Sequence, residues 1–314
     1  MYKYIIKRIL MMLPVLLGVI FVVFFIMSLT PTDAAEVILG SEATLEEKET
    51  LRQTLGLDKP LIVQFVNYLR DLLKGDMGVS YRNGLPVKDQ IFEKLPNTII
   101  LASAAVFLAI IIGIPAGIIS AKKQYSIFDN VATFSALICA ATPGFWLGLM
   151  CVLLFAVKLS WLPAAGMGKT FPDLLKSLLL PALTVSTNTC AMITRQTRSS
   201  MLEVIKQDYV DTARSKGVSE KIVTFRHMLK NALIPIITVI GLQFGVLLGG
   251  SVITENVFSW PGLGKYVVDS ITNRDTPVVL GCVVVIAVLF SIVNLLVDLL
   301  YAFVDPRIKS QYSK

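Results

Sequence analysis

Residues 99–120 read IILASAAVFLAIIIGIPAGIIS, a run without one charged side chain. A helix needs about 20 apolar residues to cross the hydrocarbon core of a bilayer, and a barrel strand only about 10. Lipid offers the backbone no hydrogen-bond partner, so a spanning segment is either a helix or part of a closed barrel. A run this long is therefore a membrane helix.

Five further blocks of the same kind lie outward from it, at residues 9–29, 131–157, 178–193, 233–253 and 278–304. The block at 178–193 is the weakest, because Ser186, Thr187, Asn188 and Thr189 interrupt it. The 314-residue chain is 54% hydrophobic and 16% charged, whereas a soluble domain carries about 25% charged residues. The sequence thus predicts an all-α integral membrane protein with six transmembrane helices. The first block is too long for the apolar core of a cleaved signal. Asp33 also spoils the near-match to a cleavage site at Ala34-Ala35, so a retained anchor is expected. Cys139, Cys151, Cys190 and Cys282 all fall in apolar blocks without a Cys-x-x-Cys pair, which suits small packing residues.

The net charge of +7 becomes informative once it is divided by side. With a cytoplasmic N-terminus, 16 basic and 7 acidic residues fall inside, against 13 basic and 15 acidic outside. Lys3, Lys7, Arg8, Lys122, Lys123, Arg307, Lys309 and Lys314 belong to the inner set, with eight more between Arg195 and Lys230. This asymmetry follows the positive-inside rule with both termini cytoplasmic. The basic excess is thus a topology signal and gives no support to nucleic-acid binding.

The chain divides at residues 94 and 95. Residues 1–94 hold the first membrane helix and an extracytoplasmic segment, and residues 95–314 hold a five-helix core. In the outer segment Thr44 and Glu47 form a capping box, and Gly56 supplies a helix stop. A second helix is expected near Pro60, with an apolar stripe of Leu61, Phe65, Leu69 and Leu72-Leu73. Gly75, Gly78 and Asn83-Gly84 mark turns. Such a segment serves either as a cap on the helix ends or as a docking surface. The inner segment 195–231 is long for a connection. Val210, Ala213 and Arg214 share one face of a short helix, Gly217 ends it, and a second helix from Ser219 runs into the next crossing.

Catalytic signatures do not appear. There is one histidine, His227, and neither a zinc motif, a nucleophile elbow nor a phosphate-binding loop. Energy for any transport must come from a gradient or a partner. Polar groups in apolar blocks are costly in lipid and tend to face a cavity. Here they are Asn188 and its neighbours in one block and Gln243 and Ser251 in the next. Gly241, Gly245, Gly249 and Gly250 accompany the latter pair, a spacing that also lets helices approach closely. Glu255 and Asn256 follow, expected at the outer mouth.

At residues 208–217, DYVDTARSKG, the chain resembles the Glu-Ala-Ala…Gly loop of ABC-importer permeases, in the branch that imports dipeptides, oligopeptides and nickel. Asp211 stands in the Glu position, Thr212 in the first Ala position, and Ala213 and Gly217 match. Gly78-Val79-Ser80-Tyr81, Leu95-Pro96-Asn97-Thr98, Thr142-Pro143-Gly144-Phe145-Trp146, Glu255-Asn256-Val257-Phe258, Trp260-Pro261-Gly262-Leu263-Gly264, Asn273-Arg274-Asp275 and Val304-Asp305-Pro306-Arg307 resemble the same branch.

The resemblance implies a type I ABC importer transmembrane-domain fold and a set of partners. These are a homologous second permease subunit, two cytoplasmic ABC ATPases that bind ATP and Mg, and an extracytoplasmic solute-binding protein. No cofactor or metal is expected in this chain. It implies an ATPase-coupling loop carrying Asp208, Tyr209, Asp211, Ala213, Arg214, Lys216, Gly217, Arg226 and His227. Candidates for the translocation path are Thr142, Trp146, Asn188, Gln243, Ser251, Glu255 and Asn256. Tyr81 and Arg82 are candidates for contact with the binding protein. The expected location is a bacterial or archaeal plasma membrane, and the expected cargo di- or oligopeptides. A nickel or metal-chelate importer and a gradient-driven carrier are the alternatives.

Overall fold

The structure, a computed structural model, describes residues 2–29, 34–40 and 42–304. Asp33, Asp305-Pro306-Arg307, Lys309 and Lys314 lie outside the described residues. Helix α1 (Tyr2–Ser28) leads into three short helices, α2 (Ala34–Leu39), α3 (Leu45–Leu55) and α4 (Leu61–Leu73). Next come α5 (Val87–Lys122), α6 (Ile127–Ala141), α7 (Gly144–Cys151), which continues as a π-helix over Val152–Lys158, and α8 (Phe171–Ile205). The rest comprises α9 (Asp208–Ser215), α10 (Glu220–Ile222), a second π-helix (Val223–Leu229), α11 (Lys230–Gly250), α12 (Val252–Val257), α13 (Leu263–Thr272) and α14 (Thr276–Val304). Among the described residues the only strand-like feature is a bridge between Val79 and Pro86.

Helices α5 and α8 form the spine. Leu101 packs near Ala182, and Ile118 and Ala121 near Met201, so the two helices run in the same direction. Gly117 makes the approach possible, since a Cβ there would lie 2.5 Å from Cβ of Thr197. Parallel neighbours require the chain between them to recross the bundle. It does so as α6 and α7, bent by 99° to one another. The expected single transmembrane helix over 131–157 is therefore a helix pair broken at residues 142–143. Pro143 is the cause: proline disfavours α backbone at the residue before it, and Thr142 is extended at φ −77°, ψ 123°. Asp129 at the start of α6 meets Arg198, while Gly148 in α7 meets Thr184 and Phe258, so the pair covers the depth of one crossing. Among the described residues five helices are long and apolar enough to span, and the bent pair brings the number to six when it is taken as one span.

Helix α14 runs antiparallel to two partners. Gly241, Gly245 and Gly249 of α11 lie against Val297, Phe290 and Ile286. These glycines therefore serve close helix packing, one of the two readings open to them. On its other side Arg8 of α1 pairs with Asp298 at 3.1 Å and Ile20 packs on Val284. The block that looked weakest, 178–193, lies in the most buried of the spanning helices. The Ser186 and Thr187 hydroxyls donate to the Leu183 carbonyl, so their polarity is absorbed within the helix.

In the outer segment the capping box forms as expected: Thr44 Oγ1 accepts from the Glu47 amide and the Glu47 carboxylate accepts from the Thr44 amide. Gly56 closes α3 at φ 67°. Phe65, Tyr68, Leu69 and Leu72 of α4 pack on Ile20 and Phe24 of α1 and Val284 of α14. Leu73, included in the predicted stripe, points away and is 89% exposed. Helix α5 runs unbroken from Val87 through the boundary drawn at residues 94 and 95.

Candidate functional site

At the inner end the expected helix–glycine–helix is present. Helix α9 ends at Gly217, whose φ of +77° suits glycine, and Ser219 starts the continuous path of α10, π-helix and α11. Val210 and Ala213 face inward and join one apolar cluster with Ile118 and Ala121 of α5, Met201 of α8, Val223 and Met228 of the π-helix, and Ala232 and Ile236 of α11. Ala213, named in the coupling loop, is buried and spends its methyl on the chain's own packing. Asp208, Asp211, Lys216 and Arg226 are exposed, Tyr209 is 42% exposed, and His227 is half-buried, its carbonyl accepting from Asn231 Nδ2. Arg214 braces the turn, with Nε donating to Glu220 Oε1 at 2.8 Å and a second nitrogen 3.3 Å from Asp211. These carboxylates hold the Arg214 guanidinium above its ordinary pKa. Lys122 Nζ donates to Thr224 Oγ1 at 3.0 Å, tying the inner end of α5 to the same unit.

One inner feature carried no signal in the sequence. Asp129 is buried and takes a two-pronged bond from Arg198, Nε to Oδ1 at 2.7 Å and a terminal nitrogen to Oδ2 at 2.9 Å. Ser120 Oγ and the Tyr125 amide donate to the same carboxylate. The pair fixes the turn between α5 and α6 onto α8. The residues are 69 positions apart, and nothing in their spacing brings them together.

At the outer end Glu255 is 0% exposed. Its carboxylate accepts from Thr98 Oγ1 and Ser251 Oγ, each at 2.9 Å, and from the Lys265 amide at 3.0 Å. Trp260 Nε1 donates to the Asn97 carbonyl and Asn97 Nδ2 donates to the Pro261 carbonyl. A Cβ at Gly262 would collide with Glu255 Oε2, so glycine is required there. Ser251 and Glu255, both named among the path candidates, are buried in bonds within this chain. They lock α5, α11, α12 and α13 together, and three motif stretches quoted separately above form one knot.

A second buried carboxylate does the same nearby. Asp275, 4% exposed, accepts from Ser80 Oγ at 2.5 Å and from the Tyr81 amide at 3.1 Å. Burial and the adjacent Asp275 push the half-buried Tyr81 phenol up to about 12. Arg82 is exposed and donates to Asn273 Oδ1. Tyr81 and Arg82 thus sit on a clasp between the outer segment and the turn before α14.

Of the remaining path candidates, Asn188, Trp146 and Asn256 are exposed, and Thr142 and Gln243 are half-buried. Asn188, Met192, Arg195 and Ser199 recur at helical spacing along one exposed face of α8. Gln243 of α11 lines the same side.

Five spanning helices and one bent pair, packed around α5 and α8, define a multi-pass helical membrane protein. Two family descriptions match: "Binding-protein-dependent transport system inner membrane component" over residues 113–310, and "Binding-prot-dependent transport system membrane comp, N-term" over residues 1–102. The chain belongs to this family, and the gradient-driven carrier alternative falls away. It is 43% identical to the dipeptide transport system permease protein DppB of Alkalihalophilus pseudofirmus, over 98% of this chain and 100% of that one. It is 42% identical to the oligopeptide transport system permease protein AppB of Bacillus subtilis, over 98% and 100%. It is 40% identical to the glutathione transport system permease protein GsiC of Escherichia coli, over 98% and 99%. Among solved structures, a chain of the inward-facing MetNI methionine ABC transporter superposes with a TM-score of 0.57 at 16% identity, over 69% of this chain and 96% of that one. The fold is that of type I ABC importer transmembrane domains.

Proposed function

We propose that this chain forms half of a translocation path for di- or oligopeptides in an ATP-driven importer. The observation that carries this reading is similarity over 98% of the chain to permeases of dipeptide, oligopeptide and glutathione systems. Those names favour peptides over nickel. A homologous second permease subunit supplies the other half. Two cytoplasmic ATPases bind ATP and Mg and dock on the exposed face of α9, around Tyr209, Asp211 and Lys216. Their movement reaches the membrane through Val210 and Ala213, which pack into the apolar cluster that also holds inner-end residues of α5, α8, the π-helix and α11. An extracytoplasmic binding protein delivers cargo near the clasp that carries Tyr81 and Arg82. The chain lies in a bacterial or archaeal plasma membrane with both termini and α9 cytoplasmic.

The test is reconstitution of the chain with its second permease, ATPases and binding protein in vesicles. Labelled peptide should accumulate only with ATP and the binding protein present. Accumulation driven by an ion or pH gradient without ATP would overturn the reading.

A further inference from the structure

Arg195 is exposed on α8 and, among the described residues, makes no hydrogen bond or ion pair. By sequence it is the first residue of the inner loop. The helix instead carries it about 15 Å before α8 ends at Ile205. Its neighbour Thr194 packs against Gly117, still inside the apolar run of α5. An unpaired guanidinium on a spanning helix costs on the order of 3 kcal/mol in lipid, so it faces water or an anion. The contrast with Arg198, one turn further on, is direct. The chain gives Arg198 a buried carboxylate and leaves Arg195 open.

A groove of about 450 Å³ lies between α8 and α11 at this level. Arg195, Gln196 and Ser199 line one side with Met192, and Gln243 lines the other with Val239 and Leu242. No acid lines it. Gln196 already spends one of its two amide N–H groups on Ser200, and Arg195, Ser199 and Gln243 are the groups whose side-chain donors are wholly free. One permanent cation, two neutral donors and an apolar wall suit a carboxylate attached to a hydrophobic side chain. The planar guanidinium fork matches a carboxylate with two parallel bonds.

We propose that Arg195 contacts the free C-terminal carboxylate of the cargo as it passes the inner half of the path. This rests on the peptide reading above and adds the group of the cargo that is recognised. The cation neutralises a charge that would otherwise be desolvated between the two helices. Gln243 and Ser199 support it from either side.

The test uses the complete importer in vesicles, with binding protein saturated by alanyl-phenylalanine or by its C-terminal amide. The readout is the ratio of free-acid to amide uptake. With Arg195→Gln the ratio should fall about tenfold, the value of one charge-assisted hydrogen bond. With Arg195→Lys, which keeps the charge and loses the fork, it should fall about threefold. A defect in insertion or assembly lowers both cargoes together and leaves the ratio alone. An unchanged ratio in Arg195→Lys therefore overturns the proposal even if Arg195→Gln is lost from the membrane. A ratio that shifts only when the vesicles contain anionic lipid also overturns it, since the carboxylate partner would then be a headgroup. If the unmutated importer moves neither form with ATP, the peptide reading itself has failed, and that is visible before any variant is made.

Discussion

The outer knot and the α9 segment use their charged residues in opposite ways. Outside, Glu255 and Asp275 point inward, are almost fully buried, and each serves several donors. Inside, Asp208, Asp211 and Lys216 of the α9 segment point outward, and an apolar cluster holds that helix to the bundle. The outer acids hold the chain's own shape, and their burial keeps them from an incoming surface. The α9 surface is left free for another surface to bond. A polar face alone costs nothing in water and proves nothing. The difference lies underneath it, where one small cluster joins three membrane helices to α9.

The largest effect on stability is expected at the outer knot. Glu255→Leu strands Thr98, Ser251 and the Lys265 amide without an acceptor, at a cost of about 4 kcal/mol. Thermal unfolding of the detergent-purified protein reads this, and a loss below about 1 kcal/mol would break the contrast. Asp129→Asn comes next. It leaves the Arg198 charge poorly compensated, and about 3 kcal/mol is expected. Adding Arg198→Met should restore much of that loss, because the stranded cation is what costs. Ser80→Ala removes one bond to Asp275 and should cost about 1 kcal/mol, seen as faster amide exchange in residues 78–84. The smallest effect on stability is expected from Asp211→Ala on exposed α9, below about 0.5 kcal/mol. That same variant should weaken ATPase pull-down, which no outer variant of similar stability should do.

Much of this fold was legible in the chain. Long apolar runs fix helices, and a capping box or a glycine stop acts within a few residues, so α3, α4 and α9 were placed correctly. The broken span was missed because the apolar composition of 131–157 hides the effect of Pro143. The site was less legible. Glu255 reads as an acid at a helix end, and its burial depends on Thr98, 157 positions away. Asp129 and Arg198 read as two loop charges. Ala213 reads as one residue of a short helical face until the packing shows that it lies inward with Val210. Arg195 reads as part of a basic loop until α8 is seen to extend past it.

We propose that the outward face of α9 is where ATP hydrolysis is coupled to the membrane helices. Tyr209→Asp tests it most directly, since Tyr209 is exposed and stands outside the apolar cluster around Val210 and Ala213. The measurement is pull-down of the ATPase subunits by membrane-inserted protein, alongside ATP-dependent peptide uptake in vesicles. The account predicts normal insertion, ATPase recovery reduced about tenfold or more, and uptake lost in proportion. Full ATPase recovery with full uptake would contradict it and reduce α9 to a passive connector.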